Sequence, residues 1–95
     1  MTVSYEDVEQ FLREEVASLT GTPLETVTSA TVLVGANRVI DSADLVMLLL
    51  AAEDFAQDRM GAKFDWTSDS AMSEARSTLR SIETLGRHLF SLQGT

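Results

Sequence analysis

Apolar side chains recur at helical spacing in three segments of this chain, and a capping residue precedes each segment. The first segment follows Ser4, the second follows Asp41 and the third follows Ser81. Side-chain oxygens of these residue types accept hydrogen bonds from the free amides of a first helical turn. Residues 31–34 are apolar enough for a strand, but no partner strand is evident, and an isolated strand is not stable. The pattern therefore predicts an all-α fold.

The sequence also indicates where these helices end. Gly21 is expected to end the first helix, because glycine readily adopts the left-handed conformation that follows a helix. The second helix is predicted to run for about 18 residues from its cap at Asp41 to a stop at Gly61, a length of roughly 27 Å. In the third helix, the residues predicted to form the buried stripe are Ile82, Leu85, Leu89 and Phe90.

The segments between the helices carry weaker signals. Thr22 followed by Pro23 predicts one short helical turn, with the threonine as its cap and the proline as its first residue. Residues 28–40 have no helical period, so we expect a long buried loop whose apolar side chains fill the core. A further short helix is expected over residues 71–78, with Ser70 as its cap.

Length and charge limit what this protein can do. A chain of 95 residues with 44% apolar and 23% charged residues is expected to form a single domain over residues 1–95, too small for a deep cleft between domains. Asp and Glu exceed Lys and Arg by 15 to 7, which gives a net charge of −8. Such a surface repels nucleic acid and anionic membranes and favours basic protein partners. The charge, with no evident exposed apolar patch, predicts a monomer.

The chain contains no cysteine, which excludes disulfides, thiolate metal sites and cysteine nucleophiles. Its first residues lack the basic start and apolar run of a signal peptide. The longest apolar run, residues 45–52, is far shorter than the roughly 20 residues of a membrane span. We therefore expect a cytoplasmic protein.

The segment with the most chemical information is the start of the second helix, where Ser42 follows the capping residue Asp41. The free amides and positive dipole end of a helix N-terminus favour a phosphate group. Asp41 and Asp44 oppose such an anion, so a phosphodiester on Ser42 would require solvent exposure or a cation. The only histidine is His88, in the last helix, so Ser42 has no evident base for a role as a hydrolase nucleophile.

The tripeptide Asp41-Ser42-Ala43 resembles the Asp-Ser-Leu motif of acyl carrier proteins, which opens their second helix. The resemblance extends over nearly the whole chain and implies a four-helix bundle with a long loop between the first two helices. It also implies a 4′-phosphopantetheine group attached to Ser42, which a phosphopantetheinyl transferase adds from coenzyme A. Asp41 would cap the helix and help to position this reaction. Such carriers present acyl or aminoacyl thioesters to the enzymes of fatty acid, polyketide or nonribosomal peptide synthesis.

Two residues depart from the family pattern. Ala43 stands where the family usually has leucine, and Met47 where fatty-acid carriers often have glutamate. The stretch from Phe55 to Ser81 is also longer than in compact fatty-acid carriers. These departures favour a specialised carrier, one of secondary metabolism, with an unusual set of partners. The resemblance implies that partner enzymes with basic surfaces dock on the second helix at Ala43, Asp44, Met47, Glu53 and Asp54.

Other interpretations of the same residues remain open. Ser42 could be an ordinary residue at a helix start, and the acidic face of the second helix could simply be solvated. The protein could be an unmodified, degenerate carrier that acts as an interaction or regulatory module, which the departures at Ala43 and Met47 would suit. A small enzyme lacks a plausible base, nucleophile and cleft in so short a chain. The acidic spacing matches no EF-hand loop, so no metal site is expected.

Overall fold

Three α-helices and one short 3-10 helix make up the regular structure of the described chain. The computed structural model describes residues 3–33, 39–64, 66 and 78–92. In chain order the elements are helix α1 (Tyr5–Thr20), the 3-10 helix (Leu24–Thr26), helix α2 (Ser42–Arg59) and helix α3 (Ile82–Leu92). These residues form no strand, so the all-α prediction is confirmed. Residues 71–77 of the expected additional helix lie outside the described residues. No helix in the described ranges is long and apolar enough to cross a membrane.

Helix α1 has the ends that the sequence predicts. The Ser4 side chain accepts a hydrogen bond from the amide of Asp7 at 3.2 Å. Gly21 adopts the left-handed conformation with φ 69°, and its amide donates to the carbonyl of Ala17. The helix contacts both α2 and α3. Its apolar residues therefore lie at the centre of the core, and three of them have no exposed surface: Val8, Leu12 and Val16.

The described part of the long connection between α1 and α2 contributes side chains to the core, as predicted, although Val39 is exposed. Three of its apolar side chains are buried: Val27, Leu33 and Ile40. The amide of Leu33 donates to the carbonyl of Arg80 at 2.9 Å, and the amide of Ile82 donates to the carbonyl of Thr31 at 3.1 Å. Val32 and Ser81 form a single antiparallel bridge. The connection is thus held against the segment that leads into α3.

The short turn in this connection begins one residue later than predicted. The 3-10 helix starts at Leu24, and Pro23 occupies the cap position with extended backbone angles and no capping side chain. The predicted cap, Thr22, instead shares a hydrogen bond with the hydroxyl of Thr20 at 2.8 Å.

Helix α3 begins at the predicted cap but buries a narrower stripe than predicted. The amide of Thr84 donates to the Ser81 hydroxyl at 3.3 Å, and the amide of Ser81 donates to the Thr84 hydroxyl at 2.9 Å. Ile82, Leu85 and Leu89 are fully buried, whereas Phe90 is 40% exposed. Phe90 follows Leu89 and so points about 100° away from it around the helix. Its ring packs edge-on against Tyr5, with centroids 6.2 Å apart.

Replacing Gly86 by alanine should stabilise the protein, because Gly86 lies inside α3, where glycine costs about 1 kcal/mol relative to alanine. A Cβ atom there would lie 3.4 Å from Cε2 of Tyr5 and 3.6 Å from Cδ1 of Leu12, which are ordinary contacts. We expect the free energy of unfolding to rise by roughly 0.5–1 kcal/mol in urea titrations. Gly86→Val, whose added methyl groups meet the same side chains, should instead destabilise the protein. A loss of stability in Gly86→Ala would contradict this prediction.

Tyr5 should titrate above its ordinary pKa of 10.0. Partial burial raises the pKa of its phenol, and the nearby carboxylates of Glu9 and Glu83 add to this effect, while Arg87 opposes it. The neutral phenol is favoured in the folded state, so its contribution to stability is present below pH 10 and is lost as the pH rises through the folded pKa. Tyr5 is the only tyrosine, so ultraviolet absorbance reports it alone. Glu9→Gln should lower the midpoint, and an unchanged midpoint would contradict the assignment.

Candidate functional site

Ser42 is the first residue of helix α2 and is exposed to solvent. Asp41 caps the helix: its carboxylate accepts a hydrogen bond from the amide of Asp44 at 2.8 Å, and its carbonyl accepts one from the amide of Leu45 at 2.9 Å. This cap fixes the direction of the first turn, as predicted from the sequence. Within the described residues, the Ser42 hydroxyl has no hydrogen-bond partner. It is therefore open to solvent at the start of the helix.

The electrostatics of this helix start are mixed. The first-turn amides of a helix have no partner within the helix, and Asp41 satisfies only the amide of Asp44. The amides of Ser42 and Ala43 and the positive end of the helix dipole thus favour an anion. The carboxylates of Asp41 and Asp44 oppose one, but Asp41 is exposed and Asp44 is half-buried. Solvent therefore screens much of this repulsion, which is the condition that a phosphodiester on Ser42 requires.

A shallow depression adjoins the start of α2. Its apolar lining comes from the end of α1 and from the end of the long connection, and Asp41 and Asp44 also line it. The residues that line it apart from these two carboxylates are Leu19, Thr20, Val39 and Ile40. A flexible substituent on Ser42 would thus have open space around it and a partly apolar surface beside it. The residues present fit a covalently attached phosphodiester arm.

The residues predicted to contact partners do not all share one face. Ala43, Met47 and Asp54 are exposed and follow each other at intervals of four and seven residues, which places them along one side of α2. Asp44 and Glu53 are half-buried on either side of this line. The indole Nε1 of Trp66 donates to Oε2 of Glu53 at 3.3 Å. Glu53 is therefore already engaged within the protein.

Helix α2 has an exposed apolar stripe, which contradicts the prediction of a surface with no exposed apolar patch. Val46, Met47 and Leu50 are 44%, 55% and 45% exposed, and Val39 just before the helix is 53% exposed. The unbroken apolar run of residues 45–52 indicates this stripe in the sequence. A helix with a single buried face needs fewer consecutive apolar residues than this run contains, so some of them must be exposed. We define the docking stripe as Ala43, Val46, Met47 and Leu50, which share spacings of three, four and seven residues.

The site thus combines a presented hydroxyl with an apolar stripe along the same helix. His88, the only histidine, packs its ring against Phe64 with centroids 5.7 Å apart. Within the described ranges, no group of three His, Asp or Glu residues is arranged to hold a metal ion. The arrangement can offer a nucleophilic oxygen to a second protein that binds α2.

No protein-family model, curated protein or solved structure matches this chain.

Proposed function

We propose that this protein is an acyl carrier protein that bears 4′-phosphopantetheine on Ser42. The observation that carries the proposal is the exposed hydroxyl at the first position of α2, which has no hydrogen-bond partner in the part of the chain that the structure describes. It lies beside an exposed apolar stripe on the same helix. A serine that only capped the helix would not be needed here, because Asp41 already makes the capping hydrogen bond. The protein itself performs no reaction. It presents a cargo to enzymes that do.

The attachment step uses the Ser42 oxygen as the nucleophile. Oγ forms a bond to the phosphorus of coenzyme A that bears the pantetheine, the bond from this phosphorus to the departing adenosine 3′,5′-bisphosphate breaks, and the hydroxyl proton passes to the transferase. The first-turn amides and the helix dipole stabilise the resulting phosphodiester. The attached group supplies a terminal thiol that carries acyl or aminoacyl groups as thioesters. Because the chain has no cysteine, this thiol has no competitor within the protein.

The docking stripe gives the partner enzymes a place to bind. Ala43, Met47 and Leu50 offer apolar contacts close to Ser42, and Asp54 adds a negative charge further along the same face. Apolar contacts at the centre of an interface supply affinity, whereas charges at its rim mainly speed encounter with a basic partner. We infer that the apolar contact usually made by a leucine at position 43 is taken over by Val46, Met47 and Leu50. The partners are a phosphopantetheinyl transferase, a loading enzyme, and a synthase or acyltransferase.

The remaining features of a carrier are part of the same proposal. A short helix over residues 71–78 would complete a four-helix bundle, and residues 1–95 would form one carrier domain. The protein would act as a cytoplasmic monomer, with its apolar stripe covered only during transient contacts. The departures at positions 43 and 47 favour a specialised biosynthetic pathway over housekeeping fatty acid synthesis.

The test is the intact mass of the purified protein before and after incubation with coenzyme A and a broad-specificity phosphopantetheinyl transferase. We expect a gain of one phosphopantetheine, and fragmentation should place it on Ser42. A known carrier protein treated in the same way controls for transferase activity. No gain with a working control, or a gain on another serine, would contradict the proposal.

A second candidate function is an unmodified interaction module, which the same exposed stripe favours because Val46, Met47 and Leu50 could serve a permanent partner. The two candidates differ in their genetic context and in their chemistry. Neighbouring genes for ketosynthases, adenylating enzymes or acyltransferases would favour the carrier. An unloaded protein that binds one enzyme tightly and is never modified would favour the module.

A further inference from the structure

A groove between α1 and α2 has an aromatic floor. Phe11 of α1 and Phe55 of α2 stack with ring centroids 4.2 Å apart and an angle of 19° between their planes. Phe55 is buried and Phe11 is half-buried, so one ring of the pair remains open to the groove. The groove adjoins the docking stripe, and Asp54, which lies in line with Ala43 and Met47, is one of its lining residues.

The walls of the groove are strongly acidic. Three acidic side chains come from α1 and two from α2, against a single basic one, that of Arg59. Among the described residues, none of the five carboxylates lies within ion-pair distance of a cation. Asp7 and Glu14 are seven residues apart on α1, so the negative charge extends over about 10 Å of the groove. The five acidic residues are Asp7, Glu14, Glu15, Asp54 and Asp58.

The groove already accommodates one guanidinium group. The Cζ atom of Arg59 lies 5.6 Å from the centroid of the Phe55 ring, which is a cation–π distance. A guanidinium can stack on an aromatic face and at the same time donate N–H groups to carboxylates at its edge, which an ammonium group does less well. Phe11 is half-buried and lines the same groove as Glu14, whose Oε1 accepts one hydrogen bond, from Nε2 of Gln10 at 3.0 Å, and has lone pairs left for further donors. Arg59 is the only arginine of this chain among the lining residues.

We propose that this groove binds an arginine-bearing segment of a partner protein, with a guanidinium stacked on the Phe11 side of the aromatic pair and the groove carboxylates accepting its N–H groups. The interaction places a contact surface on α1, in addition to the docking stripe on α2. It does not rest on modification of Ser42, since neither the rings nor the carboxylates of the groove include that residue.

The test uses the full, unmodified protein and a synthetic amphipathic peptide with arginine at every fourth position, alongside the same peptide with lysine or glutamine instead. At low salt, amide chemical shifts should change mainly at groove residues of α1 and α2, and affinity should fall in the order arginine, lysine, glutamine. Glu14→Gln/Asp58→Asn should weaken binding of the arginine peptide about fivefold, from the loss of two exposed charge pairs. Phe11→Leu should weaken it about threefold.

The matched control is Glu9→Gln/Glu25→Gln, which removes the same charge at two residues outside the groove. It should change the affinity less than twofold, because only long-range attraction is lost. Equal losses in the two double variants would show general charge attraction and would overturn the proposal. Equal affinity for arginine and glutamine peptides, or shifts outside the groove, would overturn it as well. Loading of these variants by the transferase is measured separately, so failure of this proposal leaves the carrier test unaffected.

Discussion

Ser42→Ala should abolish loading by a phosphopantetheinyl transferase completely while the protein stays folded. The substitution removes the only atom that the proposed attachment uses. It leaves the cap in place, because the capping hydrogen bond is made by the carboxylate of Asp41 and not by the serine hydroxyl. Ser42 is exposed, and alanine is a better helix former than serine, so the free energy of unfolding should stay within about 0.5 kcal/mol of the parent value.

Intact mass after incubation with coenzyme A measures this loss, and urea denaturation confirms the fold of the variant. Ser91→Ala is the matched control, since Ser91 is another exposed serine on a helix and its hydroxyl bonds only to the carbonyl of His88. The control should gain the full mass of the group. Loading of Ser42→Ala would place the attachment elsewhere, and loss of loading in both variants would point to a defect in transferase recognition.

The helix boundaries were predictable because local chemistry determines them. Ser4, Asp41 and Ser81 each bond to an amide within their own first turn, and Gly21 turns the chain with its own backbone. Such interactions involve residues three or four positions apart, so the sequence pattern contains them in full. The position of Ser42 on α2 follows directly from the same local signal.

The features that the sequence did not reveal depend on how the elements pack. The sequence predicts a buried Phe90, yet its ring is 40% exposed and packs against Tyr5, because the buried stripe of α3 is too narrow to include a residue about 100° from Leu89. The exposure of Val46 and Leu50 depends on which side of the apolar run of residues 45–52 faces α1. The bridge between Val32 and Ser81 joins residues far apart in the chain, and no local pattern indicates such a pairing.

Leu33→Ala should destabilise the protein by about 3 kcal/mol, although Leu33 lies in an irregular connection and not in a helix. Its side chain has no exposed surface, so truncation leaves a cavity in the core. A domain of this size has a free energy of unfolding of about 5–14 kcal/mol, which makes this a large fraction of the total. In urea denaturation we expect the midpoint to fall by about 1–2 M with little change in slope.

Leu24→Ala is the matched control, because Leu24 belongs to the same connection but is 37% exposed. This substitution should lower the free energy of unfolding by roughly 1 kcal/mol or less. Equal effects of the two substitutions would contradict a structural role for the buried side chain of Leu33. A large difference would show that the core depends on this connection, which also leads into α2. The amide of Leu33 donates to the carbonyl of Arg80, and the amide of Val39 donates to the carbonyl of Val32. Ile40 is buried directly before Asp41. The presentation of Ser42 would then depend on the core and not on the helix cap alone.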